Sequence, residues 1–288
     1  MSVIVVLCIT AARSDIITLN PSADSTISEK SLDISFGTGI TLDSGTTGPN
    51  EGLKKNRALM RFDLGSSIPS NAIVTSAALT LTLVTSPTPD SLWFSLHRVF
   101  QDWSESAVTW TNRLSPPAPW SVPGAAAPDD YSSSVSQSNL IVSTMLPTNF
   151  TFASDDAMVA DVQDWVRNPT ANFGWILLCE MEDLEKSVRK FASRERTTTN
   201  QRPVLEIEFY LQPQPLLLTS PVITNGQFQA QFNADSNQSY AVLYSTNLNT
   251  TNWTVLTNIS PLSVPANILV TDPILTNSAR FYRLIVPF

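Results

Sequence analysis

The stretch "RALMRFDLGSSIPSNAIVTSAALTLTL", residues 57–83, decides the fold class because two runs within it alternate apolar and polar residues. The first run places Ala58, Met60 and Phe62 on one face of a strand, opposite two basic residues and a leucine. The second run carries a leucine at every second position of residues 79–83. Alternation with a period of two is typical of a β-strand with one buried face.

Further strand candidates follow at short intervals, separated by clusters of Gly, Pro, Asn and Asp. They are "SLWFSLHRVF" (91–100), "NFTFAS" (149–154), "GWILLCE" (174–180), "RKFASRE" (189–195) and "PVLEIEFY" (203–210). This spacing indicates an all-β sandwich or barrel. One segment breaks the rhythm, since "ASDDAMVADVQDWVRN" (153–168) has apolar residues near helical spacing, Ser154 and Asp155 as possible caps, and Pro169 after it. It predicts one short helix.

A stiff boundary divides the chain. "QPQPLLLTSP" (212–221) has three prolines around an apolar triplet and is typical of a linker between domains. We therefore expect a first domain over 15–211 and a second over 222–288. The strand candidates of the second domain predict a small fibronectin-like β-sandwich.

The first residues predict a secretion leader. "MSVIVVLCITAARS" (1–14) has a short apolar run followed by small residues, with Ala12 and Ser14 placed for cleavage before Asp15. No Lys or Arg precedes the run, which fits a truncated leader, and a buried first strand is the alternative. The run is too short to span a membrane, which needs about 20 residues. Cleavage would leave Cys179 as the one cysteine of an extracellular protein, without an internal disulfide.

Charge narrows the range of partners. The 288 residues carry a formal net charge of -8 with a pI of about 4.6, which disfavours nucleic acid and anionic membranes. Any basic site must therefore be local. Arg57 and Arg61 share one strand face, and Lys190 and Arg194 share a face of another candidate strand.

If these two strands are neighbours, the four basic residues form a basic face suited to the carboxylates of acidic sugars. The alternative is structural. Arg194 would then pair with a nearby glutamate such as Glu195, and Arg61 with Asp63, as ordinary ion pairs.

Aromatic residues are the other candidates for ligand contact. Trp103 and Trp110 lie in "HRVFQDWSESAVTWTN" (97–112), where a neighbouring valine favours packing in the core. Trp120 and Tyr131 lie in or after the Pro-rich segment "PPAPWSVPGAAAPDDY" (116–131). An aromatic residue such as Trp120 in this loop is expected either to be exposed or to cap the edge of the sandwich, and both Trp120 and Tyr131 are candidate ligand-binding residues.

The sequence contains one histidine, His97. A metal site built from several imidazoles is therefore excluded. Carboxylates such as Glu180 and Glu182 leave a glycosidase open, because spacing in sequence cannot show whether two acids face each other. Calcium is a further candidate by analogy with other sandwich modules, with Asp24, Asp43 and Asn50 as possible oxygen ligands.

Four strings resemble consecutive landmarks of one family: "RALMRFDLGSSIPSNAIVTSAALTLTL", "LHRVFQDWSESAVTWTNR", "DVQDWVRNPTANFGWILL" and "KFASRERTTTNQRPVLEIEF". They resemble the DNRLRE-type, disaggregatase-related domain, which overlaps carbohydrate-binding module family 96, although the literal string that names the family is missing. The resemblance covers most of residues 15–210. It implies a jelly-roll β-sandwich in secreted bacterial or archaeal proteins, some of which bind acidic polysaccharides such as alginate.

The C-terminal segment, "YAVLYSTNLNTTNWTVLTNISP" with "ARFYRLIVPF", resembles small β domains of secreted proteins from Verrucomicrobia and Planctomycetes. We therefore expect a secreted, non-catalytic module for an acidic polysaccharide. The alternatives are an extracellular structural or adhesive protein with cell-surface or matrix partners, and a polysaccharide lyase or glycosidase.

Overall fold

The computed structural model describes residues 3–6, 14–65, 67–143, 145–211, 217–249, 251–273 and 280–286. Two compact units make up the chain. One is Arg13–Leu211, and the other combines Met1–Ala12 with Gln212–Phe288. Both units consist mostly of β-strands, which confirms the all-β sandwich class.

Strand β1 (Val3–Val6) belongs to the second unit. The strands of the first unit are β2 (Ser14–Leu19), β3 (Ala23–Ser28), β4 (Thr41–Thr46), β5 (Lys55–Arg61), β6 (Ala72–Thr85), β7 (Leu92–Arg98), β8 (Asn112–Leu114), β9 (Ala118–Pro119), β10 (Gln137–Ile141), β11 (Thr148–Phe152), β12 (Trp175–Cys179), β13 (Arg189–Ala192) and β14 (Val204–Leu211). Its helix α1 spans Asp156–Arg167, and short 3₁₀ turns lie at Pro49–Glu51, Pro169–Ala171 and Thr199–Gln201.

Two antiparallel layers form the sandwich. One has the order β10-β7-β12-β5 with β3 beside β5, and the other has the order β13-β6-β14-β2 with β11 beside β6. Strand β4 joins the layers, since Thr41–Ser44 pair with β13 whereas Gly45 and Thr46 pair with β5. Gly45 has φ of +104°, and a Cβ atom there would lie 2.7 Å from the Ser187 carbonyl oxygen. Only glycine suits this crossing point.

The main core lies between the layers. Ala58 and Met60 of β5 face it, as do Leu79, Leu81 and Leu83 of β6. The inward faces predicted from the alternating sequence are therefore confirmed. Apolar side chains of β7, β12 and β14 belong to the same core.

Helix α1 closes one side of the main core. Asp155 caps it, because its carboxylate accepts a hydrogen bond of 2.9 Å from the Met158 backbone N–H. The Trp165 ring lies 4.5 Å from the Trp175 ring of β12, edge to face. The short helix predicted between Ser154 and Pro169 is confirmed.

A second core covers the opposite face of β3, β5 and β12. Trp103, Trp110 and Trp120 pack there against Leu59 and Ile176. The interpretation of Trp103 and Trp110 as core residues is confirmed, since both are buried. These buried tryptophans thus hold the segment between β7 and β10 against the outer face of the sheet.

The second unit contains β15 (Thr219–Thr224), β16 (Gln227–Ala234), β17 (Tyr240–Ser245), β18 (Thr254–Ile259), β19 (Ala266–Pro273) and β20 (Arg280–Ile285). One sheet has the order β15-β16-β19 and another the order β1-β20-β17-β18, with β1 parallel to β20. Phe228 and Tyr282 stack in the core between them, with ring centroids 3.9 Å apart. Alternation in "QFQAQFNA" places its phenylalanines and alanines inside this core.

Two sequence predictions fall partly outside the described residues. Positions 212–216 of the expected linker lie outside them, and its last three residues, 219–221, belong to β15. Of the expected secretion leader, positions 1–2 and 7–13 lie outside them, while Val3–Val6 form β1. The leader stays a prediction. Within the described residues, no helix combines the length and apolar character needed to cross a membrane.

Candidate functional site

A cleft of about 340 Å³ lies in the first unit, where β3, β4, β5 and β13 contribute side chains. The lining residues are Thr26, Ser28, Lys30, Ser31, Phe36, Gly39, Thr41, Asp43, Thr47, Glu51, Asn56, Val188 and Lys190. Most of them carry hydroxyl, amide, carboxylate or ammonium groups. Phe36 adds one aromatic ring, which is half-buried.

An ion pair between Lys190 and Asp43 lies in this cleft. The Lys190 ammonium donates to the Asp43 carboxylate at 2.7 Å, and the Thr41 hydroxyl donates to the same side chain at 2.9 Å. The Asp43 backbone N–H donates to the Thr26 hydroxyl oxygen at 2.9 Å. Asp43 is 18% exposed and Lys190 is 41% exposed, so the positive member of the pair is the more accessible one.

A second pair, between Lys30 and Glu51, lies at the rim. The two groups are 3.3 Å apart, and their side chains are 55% and 59% exposed. Lys30 carries no sequence signal, because it is an isolated lysine in the loop after β3. Only the fold shows that it lines the same cleft as Lys190.

This lining suits a ligand with many hydroxyl groups. Carboxylates accept hydrogen bonds from hydroxyls, ammonium groups donate to them, and the side chains of Thr, Ser and Asn do both. An aromatic ring packs against apolar C–H surface. A sugar offers both kinds of surface, and the cleft volume falls within the range of small-ligand sites.

Arg57 does not line the cleft. Its guanidinium donates to both carboxylate oxygens of Glu182 at 2.8 and 2.7 Å, and to the Gly124 and Ala125 carbonyls at 2.8 and 2.7 Å. It also lies 5.6 Å from the centre of the Trp110 ring. These bonds use most of the donors of the guanidinium, so Arg57 serves the fold.

The predicted basic face is not formed, because β4 lies between β5 and β13 in the sheet order. Arg61 pairs with Asp102 at 3.1 Å and stacks on Trp103, while Arg194 donates to both oxygens of Glu105 at 2.9 and 2.7 Å. Arg194 also lies beyond the end of β13, so it does not share a strand face with Lys190. The expectation of one shared face was wrong, and the alternative of separate ion pairs describes what the structure contains.

The expected exposure of Trp120 was also wrong. Trp120 is 3% exposed, and its indole N–H donates to the Thr109 carbonyl at 3.1 Å. The Pro-rich loop folds back on the sheet and buries it. Tyr131 is half-buried, with its ring 5.6 Å from the His97 ring.

Trp93 is the tryptophan that is exposed, at 48% of its surface. The alternation of "SLWFSLHRVF" carries this signal, since it places Trp93 on the face opposite to Leu92, Phe94 and Leu96. The position of Trp120 in a loop therefore gave the wrong prediction of exposure, and the exposed tryptophan, Trp93, lies on strand β7 instead.

Three carboxylates form a candidate cation site: single oxygens of Asp24, Glu105 and Glu195 lie within 4.8 Å of one another. Burial raises the pKa of Asp24 to about 8, against a lowering hydrogen bond from the Arg194 backbone N–H. Glu195 and Glu105 raise it further. One buried oxygen of Glu195, Oε2, has no hydrogen-bond partner, and it is free to bind a cation with oxygen ligands. The Arg194 guanidinium already pairs with Glu105 and lies 3.5 Å from Glu195 Oε1, so such a cation would share these carboxylates with it.

The other calcium candidates lie elsewhere. Asp43 is held by Lys190, and Asn50 is exposed in the Pro49–Glu51 turn. Among the described residues, neither belongs to a cluster of three acidic donors. Of the three predicted ligands, Asp24 is the one that the fold places in such a cluster.

The first unit is a β-sandwich, and its polar cleft has a size that suits a small ligand. Residues 15–121 match the family model of carbohydrate-binding module family 96. This match confirms the resemblance to family 96 seen in the sequence, and carbohydrate binding is the function that it indicates. It includes the cleft residues from Thr26 to Asn56, whereas Val188 and Lys190 lie outside it. A search of curated proteins gave no match, and the resemblance of the C-terminal segment stays a prediction.

Proposed function

We propose that the protein is a secreted, non-catalytic module that binds an acidic, uronate-containing polysaccharide in the cleft. The family match supports carbohydrate as the ligand. One observation carries the acidic part of the proposal: Lys30 and Lys190 both line the cleft and are both substantially exposed. Uronate carboxylates are the sugar groups that these ammonium ions would bind.

The lysines can exchange partners at small cost. An exposed ion pair contributes only about 0 to 1 kcal/mol, so Lys30 can leave Glu51 for a ligand carboxylate. The carboxylates of Glu51 and Asp43 would then accept hydrogen bonds from sugar hydroxyls. Since two lysines and two acids share the cleft, weak to moderate affinity that falls with salt is expected.

The same cleft supports binding over hydrolysis. A glycosidase needs two facing carboxyl groups, one as acid and the other as nucleophile or base. Both carboxylates that line the cleft, Asp43 and Glu51, are paired with a lysine. Neither carboxylate is therefore held as an unpaired acid or base before a ligand enters the cleft, which supports binding as the proposed role.

A structural calcium ion is the second part of the proposal. Asp24, Glu105 and Glu195 would hold it, next to the β3 strand that supplies Thr26 and Ser28 to the cleft. Calcium takes oxygen ligands in flexible geometry, and the unpartnered oxygen of Glu195 supports such a ligand set. Its role would be to fix the end of β3.

The test is affinity electrophoresis of the full chain in gels that contain alginate, pectate or a neutral glucan, at low and high salt. We expect the acidic polymers to retard the wild type at low salt, and the Lys30→Ala/Lys190→Ala variant to lose this retardation. Lys54→Ala/Lys55→Ala is the matched control, because these two lysines pair with Glu29 and Asp183 and do not line the cleft. Loss of binding in the control to the same extent would show a general charge effect.

Absence of retardation by any glycan would overturn the proposal and favour the structural or adhesive alternative. Sedimentation of the same sample would then detect self-association. Release of unsaturated or reducing products from alginate or pectate would instead identify an enzyme. Detection of the native protein in the extracellular fraction would test secretion.

A further inference from the structure

Trp93 lies on the face of β7 that points away from the main core. Leu92, Phe94 and Leu96 alternate with it and are buried, whereas Trp93 is 48% exposed. Trp103, Trp110, Trp120, Trp165 and Trp175 are all buried, and Trp253 is half-buried. An exposed indole on a regular strand is held by the sheet, so it presents a fixed flat surface.

The two neighbours of Trp93 across the sheet differ in character. Leu140 of the edge strand β10 lies directly opposite it and is exposed. On the other side, the Glu180 backbone N–H donates to the Trp93 carbonyl at 3.0 Å. The register of β7 and β12 ends with Cys179 opposite Phe94, so Glu180 is the next residue along, on the side of Trp93, and it is exposed.

Residues opposite each other in antiparallel strands have Cβ atoms about 5 Å apart. Leu140 on β10, Trp93 on β7 and Glu180 in the turn directly after β12 therefore form a row: an apolar side chain, an indole and a carboxylate. We name this row the Trp93 platform. It is distinct from the cleft, which none of the three residues lines.

We propose that the Trp93 platform is a second carbohydrate-binding site, and that it takes a neutral pyranose residue. This inference rests on the proposed function of the chain as a glycan-binding module. The apolar C–H face of the sugar stacks on the indole and on Leu140, while Glu180 accepts hydrogen bonds from its hydroxyls. A carboxylate beside the ring repels a uronate, so the neutral sugar is favoured here.

The size of the platform argues against a protein partner. A large aromatic side chain buries about 150 to 250 Å² when fully covered. A stable protein interface buries about 800 Å² on each partner, several times what Trp93 and Leu140 expose together. One or two sugar residues match the available surface.

The two sites respond differently to salt. Stacking on an indole involves no net charge on the ligand, so binding at the Trp93 platform resists salt. Binding of a uronate to Lys30 and Lys190 weakens with salt. A polysaccharide with both kinds of residue would bind at low salt through both sites and at high salt through the platform.

The experiment is affinity electrophoresis of the full chain in a neutral glucan and in a neutral mannan, at low and high salt. The variants are Trp93→Ala, Trp93→Phe and Glu180→Gln. Phe100→Ala is the control, because Phe100 is an exposed aromatic outside the row. We expect a neutral polymer to retard the wild type at both salt concentrations, and Trp93→Ala to weaken this binding by about tenfold or more.

Trp93→Phe should keep part of the affinity, Glu180→Gln should reduce it, and Phe100→Ala should leave it unchanged. Equal binding by Trp93→Ala and the wild type would overturn the platform. Retardation of the wild type by alginate or pectate but by neither neutral polymer would also overturn it, while leaving the proposed function intact. Self-association that is lost in Trp93→Ala would instead identify a contact between copies of the chain and overturn the proposal.

Discussion

Arg57 and Glu182 are joined by two hydrogen bonds of 2.8 and 2.7 Å, which connect strand β5 to the loop after β12. Their side chains are only 14% and 13% exposed. The same guanidinium donates to the carbonyls of Gly124 and Ala125 in the loop that carries Trp120. Arg57 thus ties three distant segments together, which separates it from the exposed lysines of the cleft.

We expect Arg57→Ala to lower the free energy of unfolding by ~3 kcal/mol, because it leaves the Glu182 carboxylate and two loop carbonyls without their donor. Glycan affinity should stay unchanged, since Arg57 does not line the cleft. Urea unfolding followed by tryptophan fluorescence measures the first quantity, and affinity electrophoresis measures the second.

Arg61→Ala is the matched control for Arg57→Ala. Arg61 lies on the same face of β5, but its partner Asp102 is more than half exposed, so the expected loss is about 0 to 1 kcal/mol. A folded Arg57→Ala protein of normal stability that no longer binds alginate would show that Arg57 contacts the ligand after all.

The sequence determined the strand faces but not the partners of the charges. A period of two was enough to place Arg57 and Arg61 together on β5. Their acids at 182 and 102 are brought in by loops, whose paths depend on tertiary packing and have no local pattern. For the same reason Lys30 and Lys190 could not be assigned to one cleft, because they are 160 positions apart in the chain.

Truncation of Trp120 should lower the free energy of unfolding much more than truncation of Trp93. We expect Trp120→Ala to cost ~3 to 5 kcal/mol, because it leaves a cavity in the second core and frees the Thr109 carbonyl. Trp93→Ala should change stability by about 0.5 kcal/mol or less, since the side chain is half exposed. Urea unfolding of both variants gives the comparison, and equal losses would contradict the burial of Trp120.

The burial of Trp120 and the exposure of Trp93 show that the position of a residue in a loop or strand does not by itself predict its exposure. Proline-rich loops are usually exposed, but this loop is bonded to Arg57 and packed on β5, which buries Trp120. Alternation along a strand follows from backbone geometry and correctly places Trp93 opposite Leu92 and Phe94. It determines the face of a residue but not its exposure, since Ser95 shares the face of Trp93 and is buried.

Calcium should raise the melting temperature of the first unit. Binding at a concentration of 100 Kd adds about 2.7 kcal/mol, and each kcal/mol corresponds to about 2 to 4 °C in a unit of this size. Glu195→Gln should abolish the shift, because it removes one of the three carboxylates of the cluster. Asp183→Asn changes charge equally at a fully exposed position and serves as the control. A calorimetric scan with calcium and then with a chelator decides the matter, and identical scans would exclude the ion.

Asp164 of α1 should contribute to stability at neutral pH and lose that contribution in acid. The Arg98 guanidinium donates to its carboxylate, and this hydrogen bond lowers the pKa of Asp164 below its ordinary value. A pKa that is lower in the folded state means that the stabilisation is present above about pH 4 and disappears as the pH falls through the folded-state pKa. The pair is partly exposed, so about 0 to 1 kcal/mol is at stake.

The pKa of Asp161, which also lies near Arg98, is shifted in the opposite direction to that of Asp164. Burial raises its pKa, against hydrogen bonds from Ser136 and Trp175, so its effect on stability is unfavourable as the pH rises above the ordinary value. Asp164→Asn should therefore flatten the acid limb of a plot of urea midpoint against pH while keeping the Asp161 effect. Superimposable acid limbs in the variant and the wild type would show that the bond from Arg98 to Asp164 does not stabilise the docking of α1.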